Sequence, residues 1–421
     1  MRAHISTRAG RWAVLAGFLI GTSATADPLP SPVRLQDLLA RLRHENPELA
    51  ERRAMARAAA ARPRAVSQFD DPTVSLEWWQ QPIDFATVPI MLSVRQSLPW
   101  LGKLPARRRA AEREADTARD AVTETQRRLE AEVKRVFFDL VLAERSLTVN
   151  DRDRALLQAM VQSTEAKYAA GKAPQAAILK TQSELLTVDN NRLDLERGRD
   201  EAYTRLNALL DLPASSPLSI VANTGSPVTL PNEAVLVRAA LDQRPELRLA
   251  KDAIAEATAR LDLARREANP EFAVWAGYMV NVRGVDTFTA GVSTTLPIFS
   301  SRRRQAQTTA AEAELQARRA AFDGASRKTE AEVHLALLQM QAAERHIKLH
   351  ADKLIPLAEL SLQSARAAYQ NDRIDFYSVL DAARMVRDHH LDHERYLVEY
   401  EKRLADLELA IGQDLPREVL P

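Results

Sequence analysis

Two pairs of histidines in the C-terminal half have a spacing that could bind a metal ion. His389 and His393 lie four residues apart, as do His346 and His350, so in a helix the two imidazoles of each pair share one face. Such a pair can bind a divalent metal when a third ligand is supplied, but neither pair contains the Glu of an HExxH motif. A helix surface without a cleft offers no third ligand. His389 and His393 are therefore weak candidates, and we predict no metal site.

The sequence also lacks the motifs of common enzymes. It contains no Gly-rich phosphate-binding loop and no nucleophile elbow. We therefore expect no catalytic residues, no cofactor and no enzymatic activity. The absence of cysteine excludes disulfide bonds and thiolate metal sites.

Composition and the N-terminus indicate a helical, exported protein. Only 12 of the 421 residues are glycine and 27% are charged, which is typical of long helices and coiled coils. Residues 1–26 have the pattern of a signal peptide, with three arginines before the apolar core Trp12–Ile20 and a small-residue cleavage site. Removal of those three arginines takes the formal net charge from +1 to −2. A nearly neutral mature chain argues against nucleic acid as a partner.

The chain contains two copies of one structural unit. Pro47 and Pro245 lie 198 residues apart in the motifs NPEL and RPEL, and Tyr168 and Tyr369 lie 201 residues apart. A nearly constant offset over this length predicts a duplicated fold. The predicted boundaries are 27–211 for the first repeat, 212–231 for a Pro-rich linker and 232–421 for the second repeat. Each repeat is expected to hold a helix, a strand pair (73–98 or 271–296) and a long helical hairpin (102–211 or 302–411).

Four segments alternate between apolar and polar residues with the period of a β-strand. They are Thr73–Gln80, Ile90–Leu98, Glu271–Val280 and Phe288–Leu296, each near the length of a transmembrane strand. Five aromatic residues lie in or beside them, namely Trp78, Trp79, Trp100, Trp275 and Tyr278. Membrane barrels carry aromatic belts at the headgroups, whereas a small soluble sheet would hold the same residues in its core. Four strands cannot close a barrel, so a membrane location requires strands from more than one chain.

Two segments poor in proline and glycine predict very long helices. Residues 106–170 contain neither residue type and would extend about 100 Å as a helix. The matching segment 302–370 contains only Gly324 and Pro356. Apolar residues recur every three or four positions, as at Leu404, Leu407 and Ile411, which predicts coiled-coil packing along these rods.

Short tips are predicted to connect each long helix to a returning helix. Gly171 follows the first long helix and Pro174 precedes its partner, which suits a helix stop and restart. In the second tip we expect Asn371 to take the place of the glycine and Asp372 to help cap the next helix. Two antiparallel helical hairpins per chain follow from this.

Together these motifs resemble the TolC-like outer-membrane efflux proteins. The resemblance covers essentially the whole mature chain and rests on the NPEL-type starts, the strand exits LPWLGK and LPIFSSRR, and the tips YAAGKAPQAAIL and YQNDRIDFYSVLDA. The segment PWLGKL at 99–104 is most similar to the branch that serves heavy-metal cation efflux. The resemblance implies a mainly α fold with a small membrane β part. Three chains would form one barrel of four transmembrane strands each, continued by a periplasmic helical tunnel.

The resemblance implies the function of an outer-membrane channel in a tripartite efflux system. Such a channel is a passive conduit that carries metal cations or drugs from a periplasmic adaptor and an inner-membrane pump to the exterior. The implied partners are two further copies of the chain, the adaptor, the pump and outer-membrane lipid. A type I secretion channel remains an alternative. A periplasmic coiled-coil scaffold or adaptor is another, although an adaptor should carry lipoyl-like segments beside a single hairpin.

The resemblance also implies two sites at the periplasmic end. In the family an Asp-Val-Leu-Asp motif places acidic residues around the entrance, and the matching stretch here is Ser378-Val379-Leu380-Asp381. Asp381 is kept, Ser378 replaces the other carboxylate, and Asp375 is a further gate candidate. The tip residues expected to contact the adaptor are Gly171, Lys172, Ala173, Asn371, Asp372, Arg373 and Ile374.

Overall fold

The computed structural model describes residues 32–78, 90–221, 228, 230–267, 269–281, 284–295, 301–371 and 373–416. The predicted signal peptide, Trp79, Asp372 and the second strand exit at Leu296-Pro297 lie outside these residues, as does part of the predicted linker. Within the described ranges, no helix combines the length and the apolar character that crossing a membrane requires.

The first half of the chain contains two short helices, two strands, one very long helix and a returning helix. In order they are α1 (Leu35–Glu45), α2 (Pro47–Val66), β1 (Thr73–Trp78), β2 (Ile90–Leu98), α3 (Lys103–Ala169) and α4 (Gln175–Leu209). Helix α3 has 67 residues and is therefore about 100 Å long. It packs against α2 and α4 along its length, which supplies the partner helices that such a rod needs.

The second half repeats this order with one difference. Its elements are α5 (Glu233–Gln243), α6 (Pro245–Glu267), β3 (Glu271–Val280), β4 (Thr287–Thr295), α7 (Ser301–Leu349), a π-helical segment (His350–Leu354), α8 (Ile355–Gln370) and α9 (Phe376–Ile411). The long helix is interrupted here because Pro356, at the start of α8, has no N–H to donate to the preceding turn. A π-helical turn is a frequent way to absorb such a break.

Equivalent positions of the two halves fill equivalent cores. Leu38 and Leu236, 198 residues apart, are both buried, as are Leu140 and Met340, 200 residues apart. The first pair anchors α1 and α5, and the second pair anchors the two long helices. The duplicated helical hairpins predicted from the sequence are therefore confirmed.

The predicted coiled-coil seam of the last helix is also confirmed. Leu404, Leu407 and Ile411 of α9 are fully buried against the second-half core formed with α5 and α7. The 3–4 spacing of these residues keeps them on one face of the helix, which explains why α9 remains packed along α7.

The four strands form one antiparallel sheet in the order β1-β2-β3-β4. The pairing of β2 with β3 joins the two halves of the chain, with Leu98 opposite Phe272 and Ile90 opposite Val280. The strand ends that lead toward helices all lie at the same end of the sheet, namely Thr73, Leu98, Glu271 and Thr295. The helices therefore extend away from the sheet in one direction.

The turn between β2 and α3 redirects the chain within four residues. Gly102 has φ +95°, and a Cβ at this position would lie 2.6 Å from the guanidinium of Arg266, so only glycine fits without strain. The next residue, Lys103, is buried, and its Nζ lies 3.1 Å from Glu271 Oε1 at the start of β3. This ion pair fixes the start of the long helix against the sheet.

Candidate functional site

One face of the sheet is apolar and exposed. The register places Leu76 opposite Leu92, Leu92 opposite Tyr278, and Tyr278 opposite Phe288, so these side chains share a face across all four strands. Exposure reaches 68% at Trp78, 70% at Phe288 and 72% at Val292 on the same face. A contiguous apolar surface of this kind is typical of a region that contacts other apolar groups rather than water.

The opposite face of the sheet is largely polar. It carries Ser75 and Glu77 from β1, Arg95 from β2 and Thr289 and Ser293 from β4. Alternation between an apolar and a polar face is clear in β1, β2 and β4, whereas β3 is apolar on both faces. A sheet with one apolar and one mostly polar face suits a boundary between an apolar environment and water.

The predicted interface aromatics do not all share one face. Trp78 and Tyr278 lie on the apolar face, and Trp100, just after β2, stacks on Phe272 with ring centroids 5.5 Å apart. Trp275 instead points to the polar face. There it covers Gly291, where an added Cβ would lie 2.8 Å from the indole ring. The sheet register therefore separates Trp275 from Trp78 and Tyr278, with which the sequence grouped it.

Both edges of the described sheet lack a pairing partner. Among the described strands, β1 pairs only with β2 and β4 pairs only with β3. An exposed strand edge presents free N–H and C=O groups that can pair with another strand. The sheet can therefore be extended on both sides.

At the far end of the helices, the first tip has the predicted glycine stop. Gly171 has φ +68°, and the N–H of Lys172 donates to the carbonyl of Lys167 at 2.8 Å. The left-handed conformation at Gly171 and this backward hydrogen bond end α3 in the usual manner of a glycine C-terminal motif.

The prediction that Asn371 takes the place of this glycine is wrong. Asn371 has φ −93°, so its backbone is not left-handed, and its N–H donates to the carbonyl of Ala367. Ala170 is the equivalent residue of the first tip, and its N–H donates to the carbonyl of Ala166. The side-chain amide of Asn371 donates to the same carbonyl of Ala367 at 2.8 Å, so asparagine adds a second hydrogen bond at the end of α8.

The two tips of one chain are joined directly. Lys167, near the end of α3, places its Nζ 3.8 Å from the ring centroid of Tyr369 and donates to the carbonyl of the same residue at 2.5 Å. The Tyr369 ring also contacts the edge of Phe376 at the start of α9. This contact holds the ends of the two hairpins side by side.

The predicted gate residues lie at the start of α9. Asp375 is the N-terminal cap of that helix and accepts hydrogen bonds from the N–H of Ser378 at 2.9 Å and from its hydroxyl at 2.7 Å. These bonds hold the pKa of Asp375 below its usual value. Asp375 is thus the cap of α9, and the role expected for Asp372 lies outside the described residues. Ser378 and Asp381 are both exposed and share a helix face, whereas the neighbouring Val379 is buried.

A buried ion network follows one turn further along α9, and sequence reasoning missed it. Arg384 Nε donates to Glu184 Oε1 of α4 at 2.9 Å, and Arg387 lies 3.3 Å from Asp153 of α3 and 3.5 Å from Glu184. The hydrogen bond from Arg384 is the main reason why the pKa of Glu184 is lowered. Burial raises the pKa of Asp153 although the positive charge of Arg387 opposes this.

This network joins three helices near the tip. The sequence contains one signal for this network, since Arg384 and Arg387 interrupt the apolar stripe of Leu380 and Ala383. Because α9 lies close to α3 over a long stretch but approaches α4 at only a few positions, the Arg384–Glu184 pair is a principal tie between α9 and α4.

The histidine pairs face one another but do not form a metal site. Within the described residues, no three His, Asp or Glu side chains are arranged to hold a metal ion. His350 lies edge-on to His389, with ring centroids 5.4 Å apart, and His346 stacks on Tyr396. His393 keeps its Nδ1 buried, with no hydrogen-bond partner among the residues that the structure describes.

Both halves of the chain match the same family. A family model described as outer membrane efflux protein matches residues 38–211 and again residues 236–413. The chain belongs to the outer membrane efflux protein family. It is therefore an outer-membrane efflux channel that acts as a passive conduit, not an enzyme, and its location is the outer membrane.

Solved channel structures share the fold of this efflux protein. The outer membrane protein VceC of Vibrio cholerae is 18% identical, with a TM-score of 0.76 over 90% of this chain and 96% of that chain. The open state of the MtrE outer membrane channel of Neisseria gonorrhoeae is 18% identical, with a TM-score of 0.76 over 92% and 91%. CusC, whose crystal structures concern folding and transmembrane channel formation, is 19% identical, with a TM-score of 0.76 over 90% and 92%. No curated protein sequence matches the chain.

In this efflux protein the candidate sites lie at opposite ends of the long helices. The two-faced sheet is at one end, and the tips, the exposed Ser378 and Asp381 and the buried ion network are at the other. Helix α3 separates them by about 100 Å.

Proposed function

We propose that three copies of this chain assemble into the outer-membrane component of a tripartite efflux system. The observation that carries this proposal is the four-stranded sheet, which has one exposed apolar face and two unpaired edges among its described strands. Four strands are too few to close a barrel, because the smallest bacterial barrels have eight. Pairing β4 of one copy with β1 of the next removes the open edges, and three copies supply twelve strands.

The dimensions of the sheet fit a bilayer. Strands β2 and β4 have 9 residues and β3 has 10, which corresponds to about 30 Å of extended chain. A tilted strand of this length crosses an apolar band about 25 Å high. The apolar face would then contact lipid, and the polar face with Arg95 and Thr289 would line the aqueous bore.

The helical part also carries apolar surface for neighbouring copies. On α4, Leu179, Leu186 and Leu193 recur every seven residues and are all exposed, with 68% exposure at Leu186. On α8, Leu357 and Leu360 are exposed as well. A heptad stripe of leucines forms a coiled-coil seam with an apolar partner helix. We assign this seam to the contact between adjacent copies, which would extend the barrel as a helical tunnel.

The tips would bind the periplasmic adaptor, which in turn would join the channel to an inner-membrane pump. Gly171, Lys172 and Arg373 are exposed at the two tips, where Ala173 and Ile374 are partly buried. The Lys167–Tyr369 contact keeps the two tips together, so an adaptor would meet both as one surface. The chain lacks an energy-coupling motif, so the pump would supply the driving force for substrate.

Asp381 is proposed as the gate residue of the tunnel entrance. Its side chain is exposed near the tip, and three symmetry-related carboxylates would form a ring that attracts cations. The three carboxylates would repel one another when the entrance narrows. Ser378 lies on the same face and adds a hydroxyl in place of a second carboxylate. Asp375 is occupied as a helix cap, so it would contribute charge but little freedom of movement.

Cysteine crosslinking between edge strands tests this assembly. The chain contains no cysteine, so Ser75→Cys in β1 and Thr289→Cys in β4, both on the polar face, introduce the only thiols. After mild oxidation in isolated outer membranes, the double variant should migrate as a covalent trimer. Each single variant is the matched control and should remain uncrosslinked. A covalent dimer that never closes to a trimer, or a monomeric protein that needs no detergent, would refute the proposal.

A further inference from the structure

Five of the eight histidines gather where α7, the π-helical segment and α9 pack together. We refer to His346, His350, His389, His390 and His393 as the imidazole cluster. The sheet, tip and gate sites use none of them.

Ring contacts within the cluster hold α7 and the π-helical segment against α9. The ring of His346 in α7 stacks on Tyr396 of α9 at 4.3 Å, with the planes 7° apart. His350, the first residue of the π-helical segment, is buried edge-on to His389 and has its Nδ1 3.2 Å from the carbonyl oxygen of that residue. The start of the π-helical segment is therefore held against α9 by imidazole rings.

The surroundings of His393 in this cluster favour the neutral form of its imidazole ring. Its Nδ1 is buried and has no hydrogen-bond partner in the described part of the chain. Burial is the main cause that lowers the pKa of His393, and positive charge on His350, His390 or Arg145 lowers it further. Glu394 opposes this effect.

The surrounding carboxylates offer little compensation for added protons. Glu394 of α9 is paired with Arg145 of α3 at 2.7 Å. Glu359 of α8 lies 3.2 Å from His390 Nε2, at the exposed side of the cluster. Protonation of His393 would therefore place a charge in a partly buried space where Glu394, the carboxylate that favours it, is already paired with Arg145.

The position of the cluster gives such a change mechanical consequences. The π-helical segment His350–Leu354 is the one break among the described residues of the second long helix, and Pro356 follows it after a single residue. Helix α8 then runs 16 residues, about 24 Å, to the second tip, and α9 returns from that tip past Asp381. π-helical turns replace the regular α-helical hydrogen bonds with i→i+5 bonds and occur frequently at functional sites.

We propose that the imidazole cluster is a proton-sensitive latch that holds the π-helical hinge against α9 and releases it when His393 becomes charged. Release would let α8 and the second tip move relative to α9 and widen the tunnel entrance. The conductance part of this proposal rests on the proposed channel function, whereas the hinge part does not.

The direction of the pH effect follows from the neutral state that the fold favours. A histidine whose pKa is lowered by folding binds fewer protons in the packed state than in the released state. The latch is therefore intact above the ordinary histidine pKa of about 6.5 and weakens as the pH falls below it.

Hydrogen exchange of the full mature protein tests the hinge without reference to transport. Backbone amides of His350–Leu354, corrected for the intrinsic pH dependence of exchange, should exchange several-fold faster at about pH 5.5 than at about pH 7.5. His393→Phe, which keeps an aromatic ring but cannot be protonated, should reduce that acid response. His350→Gln serves as a second variant in case the phenylalanine disturbs packing. His334→Gln is the control because His334 is exposed, pairs with Glu233 outside the cluster and should leave the response unchanged.

Planar-bilayer recordings then test the consequence for the entrance. The conductance of the wild-type channel should rise several-fold on acidification, and that of His393→Phe should not. The latch would be overturned if the channels conduct but acidification changes neither their conductance nor the exchange rate of the hinge amides. That result would leave the channel function intact. Complete absence of conductance, with normal acid-induced hinge exchange, would instead count against the channel function.

Discussion

Replacement of Arg387 by methionine gives a sharp test of the buried ion network. Arg387 lies 3.3 Å from Asp153, whose side chain is only 5% exposed. Methionine keeps most of the apolar length of the side chain and removes the charge. Asp153 then has no cationic partner among the described residues, whereas Glu184 keeps its bonds to Arg384.

The expected loss follows from leaving a buried carboxylate unpaired. Breaking a buried ion pair by removal of one partner costs about 3–5 kcal/mol. Since Glu184 remains paired and Asp153 can take up a proton, we expect a loss at the lower end of this range. The free energy of unfolding should fall by about 3 kcal/mol. Because the network ties α9 to α3 and α4 near the entrance, Arg387→Met should also raise channel conductance.

The assay is a guanidinium titration of the detergent-solubilised protein, followed by helical circular dichroism. Arg395→Met on the same helix is the matched control, since Arg395 is 65% exposed and pairs only with the nearby Asp392 in the described structure. It should change the free energy of unfolding by less than about 1 kcal/mol. The double variant Asp153→Leu with Arg387→Met should recover most of the loss, because an apolar pair replaces the ionic one.

The pH dependence adds a second condition. Burial raises the pKa of Asp153, and Arg387 holds that rise in check, so Arg387→Met should raise the pKa further. A carboxyl with a higher pKa in the folded state binds more protons there, so the stability deficit of the variant is largest at neutral pH and shrinks as the pH falls. An equal deficit at neutral and acid pH, or a loss no larger than that of Arg395→Met, would refute the reasoning.

The remaining predictions concern the gate, the tips and the contact between copies. Asp381→Ala should raise conductance in planar bilayers because it removes a carboxylate from the entrance ring; unchanged conductance would remove the gate role. A cysteine at Lys172, chosen over Gly171 because the latter has φ +68°, should crosslink to the adaptor, as should one at Ile374. Failure at both tips would exclude this docking surface. Leu186→Lys, which places a charge in the exposed leucine stripe, should reduce the trimer fraction seen by native mass spectrometry, and an unaffected trimer would place that stripe elsewhere.

Much of the architecture could be predicted because it depends on local patterns. The period-2 alternation around Leu92 and the lack of proline and glycine over residues 106–170 specify strand and helix by backbone geometry alone. The glycine stop at Gly171 was readable because the left-handed conformation strongly favours that residue. Repetition of these signals at an almost constant offset then predicted the duplication.

The face of a strand could not be read where both faces are apolar. In β3, the alternating sets Val274–Tyr278 and Ala273–Met279 are both apolar, so the sequence did not assign Trp275 to either face. Its pairing with Arg95 of β2 and Gly291 of β4 decides this, because register is a property of neighbouring strands.

The ion network and the imidazole cluster likewise required the tertiary structure. Asp153 and Arg387 are 234 residues apart in the chain, and His350 and His389 are 39 apart, so no spacing rule connects them. The sequence by itself determined which segments form rods, strands and tips, since those choices depend on each residue and its near neighbours. Which faces of the rods meet, and therefore which buried charges and imidazoles come together, was decided only by packing between distant segments.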